Sequence, residues 1–401
     1  MYNQLVKNWR TILDSSTLKN GLIIRLVLDW FNCMMLIFNS KKMPYLFSLF
    51  SIIYFFNFFN NFPLNHSVKQ TFTQQKKQPN KQQLVIAFYN LENLYDTVNN
   101  PLVSDDEFTP YGDKHYTGEI YKDKLIKLAT VLNDIGMDYS KLGPAIIGVA
   151  EIENDTVLYD LTRHFLLRNK KLKIIHFDSK DARGVDVALL YNPTMFIPYT
   201  AAALVVSLPG RSKEFAHTRD ILYVQGNLAG DQVHIYVNHW PSRRGGEERS
   251  APARAAAAAI CKKHMDSIRL QNEQAKIIVM GDLNDNPTDK SIRKTLNAIG
   301  SYTSIQPNQL YNPWINFYKQ GMGTLANRDV WGLFDQIILS AAFTKLHLPG
   351  WHYQSAHIYY RSFMTEPAGP FKGYPMRTWE GNNYRGGFSD HFPTYIVLQK
   401  P

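Results

Sequence analysis

The sequence predicts an α/β domain built of two packed β-sheets with helices outside them, and three observations carry that prediction. Short apolar runs bounded by turn residues outnumber helical patterns several-fold. No structureless linker or fixed-period repeat interrupts residues 84–401, and the first 83 residues differ in composition from everything after them. A chain of 401 residues with 45% hydrophobic content supplies a full core. Residues 84–401 read as one domain, large for a single core and natural for layered sheets.

Residues 1–83 read as a leader. Lys41 and Lys42 precede the uncharged stretch MPYLFSLFSIIYFFNFFNNF (43–62), and the polar tract TQQKKQPNKQQ (73–83) follows as a linker. Basic residues ahead of a long apolar stretch are the pattern of an export signal or a single membrane anchor. The protein is therefore expected to be exported: periplasmic, extracellular or held on a membrane by this segment. The leader also holds most of the charge. Ten Lys/Arg against Asp14 and Asp29 give it +8 of the chain's +10. The domain keeps +2, so any anionic partner must be met by a local patch rather than a global excess. Cys33 and Cys261 form neither a disulfide framework nor a zinc cluster.

Taken in order, the strand readings are LVIAFYN (84–90), AIIGVAEIE (145–153), LKIIHF (172–177), VDVALLY (185–191) and ILYVQGNL (221–228). They continue with VHIYVNHW (233–240), KIIVM (276–280), FDQIILS (334–340) and TYIVLQ (394–399). Residues 121–135 place Leu125, Leu128, Ala129 and Leu132 at helical spacing and stop at Gly136. An alanine-rich helix is expected after a cap at Ser250, with an early Pro252. Residues 306–324 and 353–387 read as long loops, which in compact domains are often functional.

Several strands end or begin at a residue able to ligate a metal or move a proton. Asn90 closes the first, Glu151 stands near the end of the second, and His239 ends VHIYVNHW. Asp282 and Asn284 follow KIIVM, Asp335 opens FDQIILS, and Asp390 and His391 precede the last strand. Polar side chains gathered from separate strand ends are how open α/β sheets build sites. Taken alone, Asp282 to Pro287 is a turn with a proline exit, and His239 beside Trp240 is a hydrogen-bonded core histidine.

The ordered series FYNLEN, GVAEIEN, VNHWPSRRGG, GDLNDNP, FDQIILS and GGFSDHFP resembles the endonuclease/exonuclease/phosphatase superfamily with the DNase I-like fold, in particular its bacterial exported members. The resemblance spans about residues 84–399. It implies a four-layer sandwich of two mixed β-sheets flanked by helices, and hydrolysis of phosphoester bonds with a divalent cation, usually magnesium, with manganese as a substitute. It further implies Glu151 as the principal metal ligand with Asn90 and Asp390 beside the metal, and Asp282 as the group that orients or deprotonates the attacking water. Asn284 would hold the phosphate or that water, His239 and His391 would contact phosphate oxygens, and Asp335 would orient His391.

The residue types suit that chemistry on their own terms. Magnesium takes hard oxygen ligands and keeps several waters, so one or two carboxylates and an amide suffice. An imidazole near its ordinary pKa can donate to a developing oxyanion, and a carboxylate beside it fixes its tautomer. For His391 that acid is Asp335; for His239 the nearest candidate in sequence is Asp186. Arg243 and Arg244 follow the His239 motif, and Arg183 lies in DARGVD; each offers a forked contact to phosphate, with Arg249 and Arg254 as further cations. Glu153 reads as a supporting acid, Asn93 and Asn154 as local hydrogen-bonding partners. Trp314, Tyr318, Trp351, Trp379 and Tyr384 are packing residues or stacking surfaces.

The expected substrate is DNA or RNA. The alternative on the same fold is a phospholipid, sphingomyelin or inositol-phosphate headgroup, which would call for an exposed apolar loop near the site, with residues 353–374 as the place to find it. A non-catalytic binding protein is the third reading, and the presence of every motif residue speaks against it. No obligate protein partner is evident in the sequence.

Overall fold

The computed structural model describes residues 82–210, 217–327 and 329–400; the segment read as a signal or anchor lies outside them. Among the described residues no helix is long and apolar enough to cross a membrane. Lys77–Pro401 forms one compact unit.

Two large sheets make up this unit. The first runs β14 (His352–Ile358), β17 (Thr394–Lys400), β1 (Gln82–Leu94), β2 (Ile146–Ile152), β4 (Asp186–Tyr191) and β3 (Lys173–His176). The second runs β5 (Phe196–Leu204), β6 (Ile221–Leu228), β7 (Asp231–His239), β8 (Lys276–Asp282), β13 (Asp335–Ser340), β10 (Leu310–Tyr311) and β9 (Ala298–Ile299). The pairs β1–β2, β7–β8 and β9–β10 are parallel and the rest antiparallel, so both sheets are mixed. Two small hairpins, β11 (Leu325–Asn327) with β12 (Val330–Gly332) and β15 (Trp379–Glu380) with β16 (Asn383–Tyr384), stand apart from them.

The layering follows from the alternation of side chains along each strand. On β1, Leu84, Ile86 and Phe88 join β7 and β8 residues Val233, Ile235, Ile278 and Met280 in the core between the sheets. The alternate residues Val85, Ala87 and Tyr89 pack against Leu125, Leu128 and Leu132 of α1 (Gly118–Asp134) and Leu158 of α2 (Asp155–Arg163). On the far side Tyr236, Ile277 and Val279 meet Ala257, Cys261 and Met265 of α3 (Glu247–Gln271). The result is the expected four layers: helix, sheet, sheet, helix. Strands covered on both faces read as unbroken apolar runs, which is why most of the nine were legible; β3, half-buried at the sheet edge, was read from its short apolar run KII alone. Burying one such side chain contributes about 1.5–3 kcal/mol.

The departures have physical causes. Strand β14 lies in a tract read as loop: its HYQSAHI pattern is half-exposed and carries little apolar signal. Strand β5, at the sheet edge, is similarly exposed. Helix α4 (Trp314–Lys319) falls in the other expected loop, and six residues are too few to show a helical period. Helix α3 begins at Glu247, three residues before the expected cap; Ser250 lies inside it, its hydroxyl donating back to the Gly246 carbonyl at 2.7 Å.

Candidate active site

Strand register assembles half of the site. Across the second sheet Asp335 pairs with Asp282 and Asp282 with His239, so three adjacent strands present three chemical groups on one line. The first sheet supplies the other half through irregularities. Register shifts between Ala150 and Ile152, and Glu151 between them has φ +61°. A bulge of this kind re-aims one side chain off the pleat. Strand β1 shifts between Asn90 and Leu94, where Glu92 and Asn93 have φ +50° and +55°, and Asn284 after β8 has φ +49°. Four non-glycine residues in left-handed backbone around one site is a concentration of strain of the sort that functional sites retain.

The side chains converge. The His391 Nδ1 lies 2.7 Å from Asp335 Oδ2, and its Nε2 is 3.9 Å from both Asp282 Oδ2 and Asp390 Oδ1. The His239 Nε2 lies 3.6 Å from Glu151 Oε1 and 3.7 Å from Asp282 Oδ2. Asn90 donates to Asp282 Oδ2 at 3.1 Å, and Asp282 Oδ1 accepts from the Asn284 N–H at 3.0 Å. The Asn284 side chain donates to the Trp240 carbonyl at 3.0 Å. Glu151 Oε2 accepts from the Asn93 N–H at 3.0 Å and has the Arg183 guanidinium 3.7 Å from its other oxygen. Asn90, His239, Asp282, Asn284, Asp335 and His391 are all buried.

Electrostatics separate the two imidazoles. Burial, then Arg219 and Arg183, push His239 well below its ordinary value, so it is neutral. Burial also opposes charge on His391, but Asp335, Asp282 and Asp390 outweigh it and hold that imidazole well above the usual range, as the cation. Burial pushes Asp282 up to about 7, against the lowering influence of His391 and with help from Asp335.

The donor set fits a divalent cation. Oxygen atoms of Asp282 and Asp335 lie within 4.8 Å of one another and of a nitrogen of His391, which as the cation is a neighbour of the ion and not a ligand, and carboxylates of Glu151 and Asp390 face the same imidazoles. Asp335 Oδ1 and His239 Nδ1 are buried without a hydrogen-bonding partner among the described residues. Such an oxygen-rich cluster, crowded with like charge, suits a hard cation of the magnesium class.

Other expectations are corrected. Asp186 does not serve His239: its carboxylate accepts from the Ser179 N–H at 2.9 Å and faces His176 Nε2 at 3.3 Å. Arg243 is not free for phosphate, because it bonds the Asn284 carbonyl, Glu247, Asp285 and Asp289. Arg254 is fully buried against Asp285 at 2.5 Å. Those two arginines instead tie α3 to the loop after β8. Arg183 does stand at the site, while Arg244 is exposed on the loop after β7. Trp314, Trp351 and Trp379 are buried packing residues. Glu153 accepts from the Asp96 N–H, and Asn154 caps α2 by accepting from the Val157 N–H at 3.1 Å.

Three groups near the site escaped the sequence. Arg219, buried, donates to the Trp240 carbonyl at 2.7 Å and to Asp181 at 3.1 Å. Thr324 donates its hydroxyl to Asp335 Oδ2, the oxygen that also faces His391. Glu92 accepts from the Thr378 N–H at 2.7 Å, and the buried Lys124 donates to the Thr378 hydroxyl at 2.7 Å. Glu92 lies within the quoted motif FYNLEN but was given no role, and the others lie in no run or spacing that sets them apart.

The two mixed sheets between helices and the converging strand ends have the DNase I-like architecture. The chain belongs to the Endonuclease/Exonuclease/phosphatase family, whose model matches residues 85–400. Among curated proteins none matches the chain. Solved structures with a similar fold include an endonuclease/exonuclease/phosphatase family protein from Bacteroides thetaiotaomicron, 16% identical, with 80% of this chain and 96% of that one covered and a TM-score of 0.47. A mannosyl-6-phosphatase of the same organism is 17% identical over 79% of this chain and 99% of its own, TM-score 0.47. The catalytic domain of human Nocturnin with bound sulfate is 15% identical over 79% and 94%, TM-score 0.48.

Proposed function

We propose that this protein is a metal-dependent phosphodiesterase acting on nucleic acid outside the cytoplasm. The observation that carries the reading is the convergence of Glu151, His239, Asp282 and Asp335 from four different strands with His391 from the loop before β17. Glu151, with Asn90 and Asp390, would hold the divalent cation. When bound, that ion neutralises charge on the phosphate and eases deprotonation of water.

The chain's own groups divide the remaining work. Asp282, raised to about 7, is poised to accept the proton of an attacking water near neutral pH. The His391 imidazolium, fixed by Asp335, donates a charged hydrogen bond where negative charge grows on the phosphoryl oxygens. Neutral His239 supplies a second ring nitrogen at the same oxygens, and Arg183 adds a fixed positive charge beside Glu151. With Arg243 and Arg254 occupied, Arg183, Arg244 and Arg249 are left of the five candidate cations, which favours a single-stranded or short substrate.

A second reading is a lipid headgroup diester, because residues 353–374 do expose Tyr360, Phe363 and Phe371. One panel separates the readings: plasmid DNA, RNA, sphingomyelin, inositol phosphates and a bis-aryl phosphodiester, each with magnesium, manganese or EDTA. Metal-dependent cleavage of DNA or RNA that Glu151→Gln and His391→Ala both abolish is the expected result. Cleavage confined to a lipid or inositol headgroup replaces the substrate, and no turnover of even the aryl diester by folded protein removes the enzymatic reading.

A further inference from the structure

The face beside the candidate site carries an apolar surface that hydrolysis does not require. Five large apolar side chains, Met322, Val330, Tyr360, Phe363 and Phe371, are between 41 and 68% exposed there. Met322 and Tyr360 line an open groove of about 510 Å³ whose walls also include Trp331, Ile358 and Phe392; Val330 precedes Trp331 in the chain, and Phe363 packs on Phe388 at 5.2 Å. The rings are linked. Tyr360 packs on Phe392 at 6.0 Å between centroids, Phe392 on Trp331 at 6.2 Å, Trp331 on Tyr374 at 5.3 Å and Tyr374 on Phe371 at 5.8 Å.

The groove adjoins the His391–Asp335 pair along the chain. Phe392 follows His391 directly, and Gly323 precedes Thr324, which hydrogen-bonds Asp335. The Phe392 N–H donates to the Thr324 carbonyl at 2.7 Å, closing the two walls together. Exposed apolar side chains scattered singly need no explanation, but a connected set at the mouth of a site does.

Charge indicates what covers it. In three separate segments an exposed apolar residue stands within three positions of an exposed cation: Met322 with Lys319, Tyr360 with Arg361, and Phe371 with Lys372. The acids nearby are Asp134, Asp329 and Glu366, with Glu380 and Asp390 beside Phe371 facing Arg385 at 3.6 Å and Arg377 at 4.0 Å. Arg361 pairs with the first at 3.1 Å and the Tyr374 hydroxyl bonds the second at 2.7 Å, while neither Lys319 nor Lys372 has an ionic partner among the described residues. Aromatic rings that enter an interface while neighbouring cations meet phosphate are the side-chain arrangement of a lipid-facing surface. The groove lining offers a nucleobase edge few polar partners, His357 being its one ionisable side chain apart from Tyr360.

We infer that this rim docks the domain on an anionic lipid bilayer, with Tyr360, Phe363 and Phe371 inserted at the headgroup level and Lys319 and Lys372 against lipid phosphate. The docking is independent of which diester the site cleaves, and it orients the candidate active site along the membrane surface. Residues 77–401 contain both sheets and their covering helices, so this fragment, which lacks the apolar leader segment, is the material for the test.

The experiment is co-sedimentation of the fragment with phosphatidylcholine vesicles and with vesicles containing phosphatidylglycerol, alongside the variant Tyr360→Ser/Phe363→Ser/Phe371→Ser. All three positions are exposed, so circular dichroism and the thermal midpoint should match the parent. The expected result is binding at least fivefold tighter to the anionic vesicles, weakened at least tenfold in the variant. Failure to bind, binding without charge preference, or equal binding by the variant overturns the inference. So does a substitution effect confined to self-association in sedimentation velocity, or to affinity for a single-stranded oligonucleotide. Turnover of the aryl diester, followed in parallel, reports on the proposed activity separately, since loss of vesicle binding leaves it intact.

Discussion

The hydroxyl of Thr324 and the imidazole of His391 share one oxygen of Asp335, while the other oxygen is buried without a partner among the described residues. Removing the hydroxyl leaves the carboxylate held by the imidazole alone, free to turn between its two oxygens. Thr324→Val is therefore expected to lower turnover of a phosphodiester about tenfold, roughly 1.4 kcal/mol in the barrier, with little change in KM. Unchanged kcat would show that the imidazole alone fixes the carboxylate. A second residue-scale expectation concerns pH. Asp282 must be ionised to take a proton, and burial has raised it to about 7, so the acid limb of kcat should reflect this group. A bound cation opposes burial and moves that limb to lower pH, and replacing magnesium by a more acidic divalent ion should move it further. An acid limb that stays fixed across metals would assign it to another group.

At the scale of elements, His176 joins three of them. Its Nδ1 lies 3.0 Å from Asp155 at the start of α2 and its Nε2 3.3 Å from Asp186 of β4, with Asp178 at 3.9 Å. Burial disfavours the charged ring, but Asp186 and Asp155 prevail and raise its pKa. A raised folded value means that the stabilisation is complete below the unfolded value of about 6.5 and is lost as pH rises through the folded one. His176→Gln should thus cost about 1–2 kcal/mol in urea unfolding at pH 6, and the deficit should shrink by pH 9. A deficit independent of pH would mean that packing, not charge, is what the ring supplies. Close approach of neighbouring elements is equally specific: a Cβ on Gly281 of β8 would collide with the Asn238 carbonyl of β7. Gly281→Ala is expected to destabilise by about 1–3 kcal/mol or more, read from the thermal midpoint.

These two cases also show what the sequence could and could not say. Gly281 sits in the quoted GDLNDNP motif, and the strands around it were readable because both their faces are buried. The residues His176 and Asp186 were readable only as strand ends. Their pairing depends on β3 and β4 lying side by side, and on the loop from 177 to 185 folding back so that the Ser179 N–H reaches Asp186. The same limit misassigned Asp186 to His239 and offered Arg243 and Arg254 to phosphate. Proximity in sequence says which groups are near a motif, but not which acid a long side chain will reach.

For the whole molecule, the cost of the site is the gathering of Glu151, Asp282, Asp335 and Asp390 on one rim, where burial already opposes the charge of Asp282 and Asp335 raises it further. Like charges held together in low dielectric oppose folding, and a ligand bound only by the folded state offsets that cost by mass action. A divalent cation at a hundredfold excess over its dissociation constant would add about 2.7 kcal/mol, a rise of a few degrees in the thermal midpoint for a domain of this size. The rise should appear on adding magnesium or manganese to EDTA-treated protein and be much reduced in Glu151→Gln, whereas His176→Gln, outside the site, should keep it. Glu151→Gln should also narrow the difference from the other side, because removing one of the crowded charges relieves repulsion in the metal-free protein. A midpoint indifferent to both ions would remove the metal from the site. An equal rise in Glu151→Gln would keep the metal and transfer its anchoring to Asp282 and Asp390.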